Sequence, residues 1–465
     1  MSSKWPTTNL GAICKFTAGS AFKPEFQGCS AGDYPFIKVS DMNAAGNEIF
    51  INSASNYVNE IQRAAMKAKL HPVGAIVFAK IGVALTTNRR RLLTRPTIID
   101  NNMMSATPRD GKVTSRFLYL LLTSIDFNTI SAGTALPYLN VSDLERIEVS
   151  IPDTLSEQEA IARILGDIDD KIDLNRRINQ TLEAMAQAIF QSWFVDFDPV
   201  KAKIAAKAEG RDPLRAAMSA ISGKAGAELD ALPPEQYEQL AATAALFPDE
   251  MEESEVGEVP KGWSVGTLSN FASFQNGYAF KTKDWTDSGH PVVKIGNVKP
   301  GIIDLSGCSL VAHETVNGLD RFALKKGDLL VGMTGYVGET GLVPALYSVA
   351  YLNQRVGRIS TVNGVSDIGY PFCLVRDPAY KAYAESKAHG SAQANVSGKD
   401  LMDYQAVVPD AGVLKIFNAQ VAKIINALLS YHEENQSLAA LRDTLLPRLL
   451  SGELLVADAM AEAVA

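Results

Sequence analysis

The chain has 465 residues, 46% hydrophobic and 21% charged, with a formal net charge of −8 and a sequence pI near 5.4. That length predicts two to four domains with cores of their own, and the absence of any run of about 18 apolar residues predicts no membrane span. MSSKWPTTNLGAICKF lacks a signal peptide's apolar stretch, and Cys14, Cys29, Cys308 and Cys373, scattered without a CxxC, fit a reducing cytosol and argue against a cysteine-built zinc site.

An acidic whole argues against a nucleic-acid binder, but the charge is uneven. Residues 1–150 hold 16 Lys+Arg against 11 Asp+Glu, whereas residues 195–257 hold 6 against 13. The first segment, 1–153, reads as a mixed α/β domain. Trp5 opens it, and FTAGSAFK (16–23) gives a Gly-centred turn. PFIKV and AIVFAKIG are short apolar runs bounded by Gly and Pro, the pattern of buried strands. SRFLYLLLTSI is a helical piece, and IEVSIP a last strand.

A long helix is predicted over 154–194. Ser156 and Glu159 make a capping box before the apolar run. Ile161, Leu165, Ile168, Ile172, Ile178, Leu182, Met185 and Ile189 then recur at helical spacing. The acidic stretch 195–257 reads as a linker, with a helical insertion over 201–245.

The segment 258–410 repeats the first. FQNGYAFK (274–281) matches FTAGSAFK at five of eight positions, offset by 258. Trp263 answers Trp5, and HPVVKIGN answers YPFIKVSD. Gly327 and Gly335 answer Gly74 and Gly82, Asn353 answers Asn101, and GSAQANVSGKDLMDYQAVVPD answers GTALPYLNVSDLERIEVSIPD. A collinear series with a nearly constant offset is an internal repeat.

A second long helix is predicted over 411–454, followed by a tail, 455–465. Val421, Ile424, Leu428, Tyr431, Asn435, Leu438, Arg442, Leu445 and Leu449 step 3-4-3-4, a seam for a partner helix. Asn175 and Asn435 match across the copies. Two helices without other obvious mates are expected to pair with each other, antiparallel. The predicted architecture is α/β (mixed), two similar globular domains separated by a coiled-coil spacer, with a pseudo-two-fold internal repeat.

Enzyme signatures are missing. There is no P-loop, no HExxH and no Asn-Pro-Pro-aromatic motif, and PRDGK (108–112) reads as a turn. The weight therefore moves to recognition. TTNRRRLLTR (86–95) supplies Asn88, Arg89, Arg90, Arg91 and Arg95, with Lys80 before Gly82. Arginine forks suit phosphate or guanine, and a solvated hairpin tip is the alternative. The second copy offers Thr334 and Tyr336 there instead. Asn101 and, in NQRV, Asn353, Gln354 and Arg355 are further base-reading candidates. Lys23 with Lys281, and Lys38 with Lys294, are shared, which suits phosphate positioning.

LSEQEAIARIL, SWFVDFDPVKAK (192–203), LFPDEMEESEVGEVPKGW (246–263) and SLAALRDTLLPRLLSGEL (437–454) together resemble the specificity (S) subunit of type I DNA restriction–modification enzymes. The resemblance covers nearly the whole chain. It implies two target-recognition domains reading a bipartite DNA site, and a gap length fixed by the paired helices. It implies a non-catalytic subunit that joins two adenine methyltransferase subunits and restriction–motor subunits. S-adenosylmethionine, ATP and Mg²⁺ would belong to those partners, the linker would be docking surface, and the location would be cytoplasmic. The rivals are a twin-module assembly protein for a non-DNA ligand and a single-chain enzyme.

Overall fold

The computed structural model describes residues 5–44, 46–133, 136–255, 257–390 and 394–456. Of the tail 455–465, only its first two residues are described; 134–135 and 391–393, within two of the matched stretches, also lie outside the described residues.

AIVFAKIG forms a strand, Ile76–Ala79, buried along its whole length, which is why it reads as a continuous apolar run rather than an alternating one. It lies at the middle of a five-stranded sheet ordered Cys14–Ala18, Met103–Pro108, Ile76–Ala79, Arg90–Leu93, Phe50–Ile51. The second copy has a sheet ordered Ser273–Asn276, Val356–Ser360, Leu329–Gly332, Thr340–Leu342, Gly301–Ile302. In both sheets the first three pairings are antiparallel and the last is parallel. Beside each, a smaller sheet pairs two strands in parallel, Tyr34–Ile37 with Ile98–Ile99 and His290–Val293 with Tyr351–Leu352. Each domain closes on an antiparallel pair of its first and last strands, Thr7–Asn9 with Glu148–Ser150 and Ser264–Thr267 with Gln405–Val408. The repeat in sequence is a repeat of topology.

The recurring glycine of the opening motif has a steric cause. A Cβ on Gly19 would collide with the carbonyl oxygen of Asp100, and one on Gly277 with that of Asn353. PRDGK contains a turn, closed by the Lys112 amide donating to the Arg109 carbonyl at 3.1 Å.

The long helices are Leu155–Phe190, 36 residues, and Ala411–Leu450, 40 residues. At 1.5 Å per residue they run about 54 and 60 Å. The first is capped by Thr154, whose hydroxyl accepts from the Glu157 amide at 3.3 Å, not by Ser156. By length and composition the second could cross a membrane, but Val413, Phe417, Val421, Ile425 and Leu429 are buried in the protein.

The chain forms two compact units, Met1–Arg177 with Glu434–Ala465, and Ile178–Glu433. Each holds one domain and part of each long helix, and in each the helices run antiparallel. In the first, Arg442 Nη1 donates to Asp169 Oδ1 at 3.0 Å, and Asn175 Nδ2 to Asn435 Oδ1 at 3.0 Å. The two asparagines matched across the repeat thus bond to each other. In the second, Asn179 Nδ2 donates to the Leu428 carbonyl at 3.1 Å, and the Phe190 and Phe417 rings lie 6.1 Å apart. Ile161, Leu165, Ile168 and Ile172 are buried as expected, but Met185 is 49% exposed and Ala186 and Phe190 occupy the seam instead.

Each opening tryptophan packs where a long helix ends. Trp5 lies against Gly452. Trp263 packs on Phe194 and Phe197, within the SWFVDFDP stretch. There the helix ends in a π-turn, Gln191–Val195, and Phe197 takes a left-handed φ of 56°. The insertion forms four short helices, Asp198–Ala208, Pro213–Ser222, Gly226–Asp230 and Pro234–Ala245, with a small core of Ala217, Met218, Leu229 and Ala244.

Candidate nucleic-acid interface

At one end of each five-stranded sheet three loops meet. In the first domain the turn after Ala18 pairs with Asp100, the Lys80 amide donates to the Asn102 carbonyl at 2.9 Å, and Ile81 pairs with Tyr138. In the second, Tyr278 pairs with Asn353, the Met333 amide donates to the Arg355 carbonyl at 3.0 Å, and Thr334 pairs with Asn395. Candidate residues from distant parts of the sequence are thereby gathered in both domains.

The arginine cluster does not act as one surface. Arg90 and Arg91 lie within a strand, where neighbours point to opposite faces. Arg90 is 2% exposed. Its guanidinium stacks 3.8 Å from the Phe127 ring centroid and donates to the carbonyls of Asn88 and Ile125. Burial pushes its pKa down to about 10. Arg91 donates to the carbonyls of Arg90 and Met42 at 2.8 and 2.9 Å. Asn88, at a left-handed φ of 56°, accepts the Phe127 amide at 3.0 Å. Those three side chains therefore build the loop. Arg89 is exposed and reaches Asn43; Arg95 is exposed beside Tyr57.

The shared lysines divide in the same way. Lys23 and Lys281 are exposed, each preceding a short 3₁₀ turn. Lys38 Nζ donates to Gln27 Oε1 at 2.6 Å and lies over the Phe22 ring. Lys294 Nζ donates to Ser309 Oγ at 2.7 Å, 3.5 Å from the Trp285 ring centroid, and burial lowers its pKa. Both amines brace neighbouring loops. Thr334 is buried and donates to Asn395 Oδ1 at 2.6 Å, while Tyr336 is 64% exposed.

The turn before the second strand of each sheet corrects the repeat's register. Asn353 answers Asp100, not Asn101. The Asp100 amide donates to the Ile37 carbonyl at 2.9 Å, and the Asn353 amide to that of Val293 at 3.2 Å. The Met103 amide closes on the Asp100 carbonyl at 2.9 Å, and the Val356 amide on that of Asn353 at 2.9 Å. Asp100 Oδ1 accepts from the Asn102 amide at 2.8 Å, and Asn353 Oδ1 from the Arg355 amide at 3.3 Å. Asn102, which the sequence reading passed over, therefore stands where Arg355 stands. The usable signal was an Asp or Asn opening the turn, a residue that bonds its own backbone two positions on; Asn353 itself is buried, while Asn101, Asn102, Gln354 and Arg355 are exposed.

Among the described residues no group of three or more His, Cys, Asp or Glu side chains is gathered for a metal ion. The profile of a family described as "Type I restriction modification DNA specificity domain" matches residues 2–184 and again residues 260–439. The chain belongs to this family. It is 31% identical over 444 residues to the "Type I restriction enzyme HindI specificity subunit" of Haemophilus influenzae, covering 89% of this chain and 96% of that one. It is 22% identical to the MjaIX specificity subunit of Methanocaldococcus jannaschii, over 98% and 94% of the two chains. A solved type I S subunit from M. genitalium is 14% identical with a TM-score of 0.49, covering 96% of each chain. The chain is thus a type I specificity subunit, a non-catalytic member whose family role is DNA sequence specificity. Each profile match takes in one copy of the repeated domain and runs on into the long helix that follows it.

Proposed function

We propose that this S subunit reads a bipartite DNA site, one half with each domain, within a type I restriction–modification complex. The observation that carries this is the duplicated sheet end, with the same backbone in both domains and different exposed side chains. One scaffold with two side-chain sets suits two different half-sequences. Segments 1–153 and 258–410 are the target-recognition domains, and 154–194 and 411–454 the spacer helices that set the gap between half-sites. Lys23, Lys281, Arg89 and Arg95 are the phosphate contacts, exposed and basic. The linker 195–257, with its acidic excess, is docking surface for two adenine methyltransferase subunits, and restriction–motor subunits complete the enzyme. S-adenosylmethionine, ATP and Mg²⁺ are bound by those partners, in the cytoplasm and on nucleoid DNA. Single-molecule sequencing of host DNA for methylated adenine, with and without this gene, tests the proposal. Loss of one bipartite motif on deletion is expected. No loss, with the methyltransferase subunit expressed and bound to this chain, would refute DNA reading and favour a twin-module assembly protein.

A further inference from the structure

The turns at Asp100–Met103 and Asn353–Val356 deepen that reading and rest on it. Their backbones are duplicated hydrogen bond by hydrogen bond, and each turn lies so close to a glycine, Gly19 or Gly277, that a Cβ there would collide with its carbonyl. What differs is the tip. The first domain carries Asn101 and Asn102, the second Gln354 and Arg355. All four are exposed, and among the described residues none of their side chains makes a hydrogen bond or ion pair. Several other candidates are already engaged within the protein: Arg90, Arg91, Lys38, Lys294 and Thr334.

We infer that these two tips are where the domains select different bases, with Arg355 selecting a guanine in one half-site and Asn102, which stands in the same place on its turn, an adenine in the other. Bidentate readout needs a fork on a fixed base. An arginine matches guanine O6 and N7, and an asparagine amide matches adenine N6 and N7. A phosphate contact carries no sequence information and can be the same in both domains, as Lys23 and Lys281 are. Residue identity that changes while the backbone is held constant is the property of a selector.

The test uses the full chain assembled with its methyltransferase subunits, comparing wild type with Arg355→Ala and Asn102→Ala. Binding is measured on the wild-type site and on sites substituted at each specified position, over a range of salt. Arg355→Ala should lower discrimination at a single guanine by about 5- to 150-fold and leave the other half-site unchanged. Asn102→Ala should act only on the opposite half-site. Calorimetry should show unchanged unfolding, since both side chains are exposed and unbonded. Uniform weakening across all sequences, with a shallower salt slope, would make Arg355 a phosphate contact and overturn the assignment. Unchanged preferences would overturn it too. A wild-type complex that shows no sequence preference would instead sink the proposed function itself, so the two failures are distinguishable.

Discussion

Replacing Arg90 with methionine separates a structural arginine from a DNA-binding one. The substitution keeps much of the stem and removes the guanidinium. The carbonyls of Asn88 and Ile125 lose their donors, at about 1–3 kcal/mol each when buried. The stack 3.8 Å from the Phe127 centroid is lost, worth about 2 kcal/mol when desolvated. Against this, the burial that lowers the pKa of Arg90 from 12.5 to about 10 reflects a charge penalty of roughly 3 kcal/mol that the variant escapes. The net is a destabilisation of about 1–5 kcal/mol, centred near 3. For a unit of this size that lowers the melting point by roughly 6–12 °C. Calorimetry gives the shift, and hydrogen exchange should localise it to residues 83–89 and 125–129. Arg89→Ala, at an exposed position, should stay within about 0.5 kcal/mol of wild type while reducing DNA affinity and flattening its salt dependence. An Arg90→Met chain that melts like wild type yet loses DNA affinity would refute the reasoning, because Arg90 would then have to face the ligand.

His71 is 2% exposed beside Ser105, and burial holds its pKa down to about 4. Below pH 6.5 the unfolded chain binds the proton and the folded one does not, so stability falls as pH falls from 6.5 toward 4, by about 3 kcal/mol in all; the fall in urea midpoint should be correspondingly smaller in His71→Phe. Asp169, 1% exposed and bonded to Arg442, should follow the rule for buried pairs. Arg442→Ala, which strands the Asp169 carboxylate, should cost about 3–5 kcal/mol by urea unfolding, and Asp169→Ala less, because Arg442 is partly exposed and keeps its bond to Asp443. Gly277→Ala should displace the turn at Asn353, seen as weaker selection at the second half-site with the first unaffected. A chain ending at residue 410 should fail to melt cooperatively in its first domain. It lacks Leu445, Leu449, Leu450 and Leu454, all buried in that core, and at about 1.5–3 kcal/mol each their loss rivals a domain's whole stability.

Much of the scaffold was legible because its constraints are written in residue types that have few substitutes. Gly19 and Gly277 tolerate nothing larger against a carbonyl, so the repeat survives there even where the flanking residues differ. The continuous apolar strands and the helical seam were equally plain. Finer features went astray for identifiable reasons. Thr154 with Glu157 and Ser156 with Glu159 are both Ser/Thr-x-x-Glu patterns, and only backbone geometry selects Thr154. Met185 fits the apolar spacing, yet the seam beside Phe190 takes Ala186, where the helix lies close to Cys373. Arg89, Arg90 and Arg91 are neighbours in sequence and so read as one patch, but strand alternation and a ring placed 37 residues later, Phe127, divide them. Asn101 was matched to Asn353 by identity, whereas the backbone equates Asn353 with Asp100.

The polar residues in the helix seam of the first unit fit the same logic. Leucine at Asn175 and Asn435, or at Asp169 and Arg442, would bury more apolar surface and leave no donor or acceptor to satisfy. Their presence costs stability relative to that alternative. What they supply is register. In the antiparallel pair, sliding one helix by a heptad would still leave an apolar stripe on each helix facing the other. It would also bring Asp169 opposite Leu449 or Asn435 instead of Arg442, leaving a carboxylate that burial already disfavours without its cation. That costs about 3–5 kcal/mol, enough to exclude the slipped pairing at a level above a hundredfold. A seam of leucines alone would hold the helices together without saying where. If the helices set the distance between two reading heads, the position of the seam is the property that function needs, and a buried aspartate bonded to a half-buried arginine, beside a bonded pair of asparagines, is what fixes it.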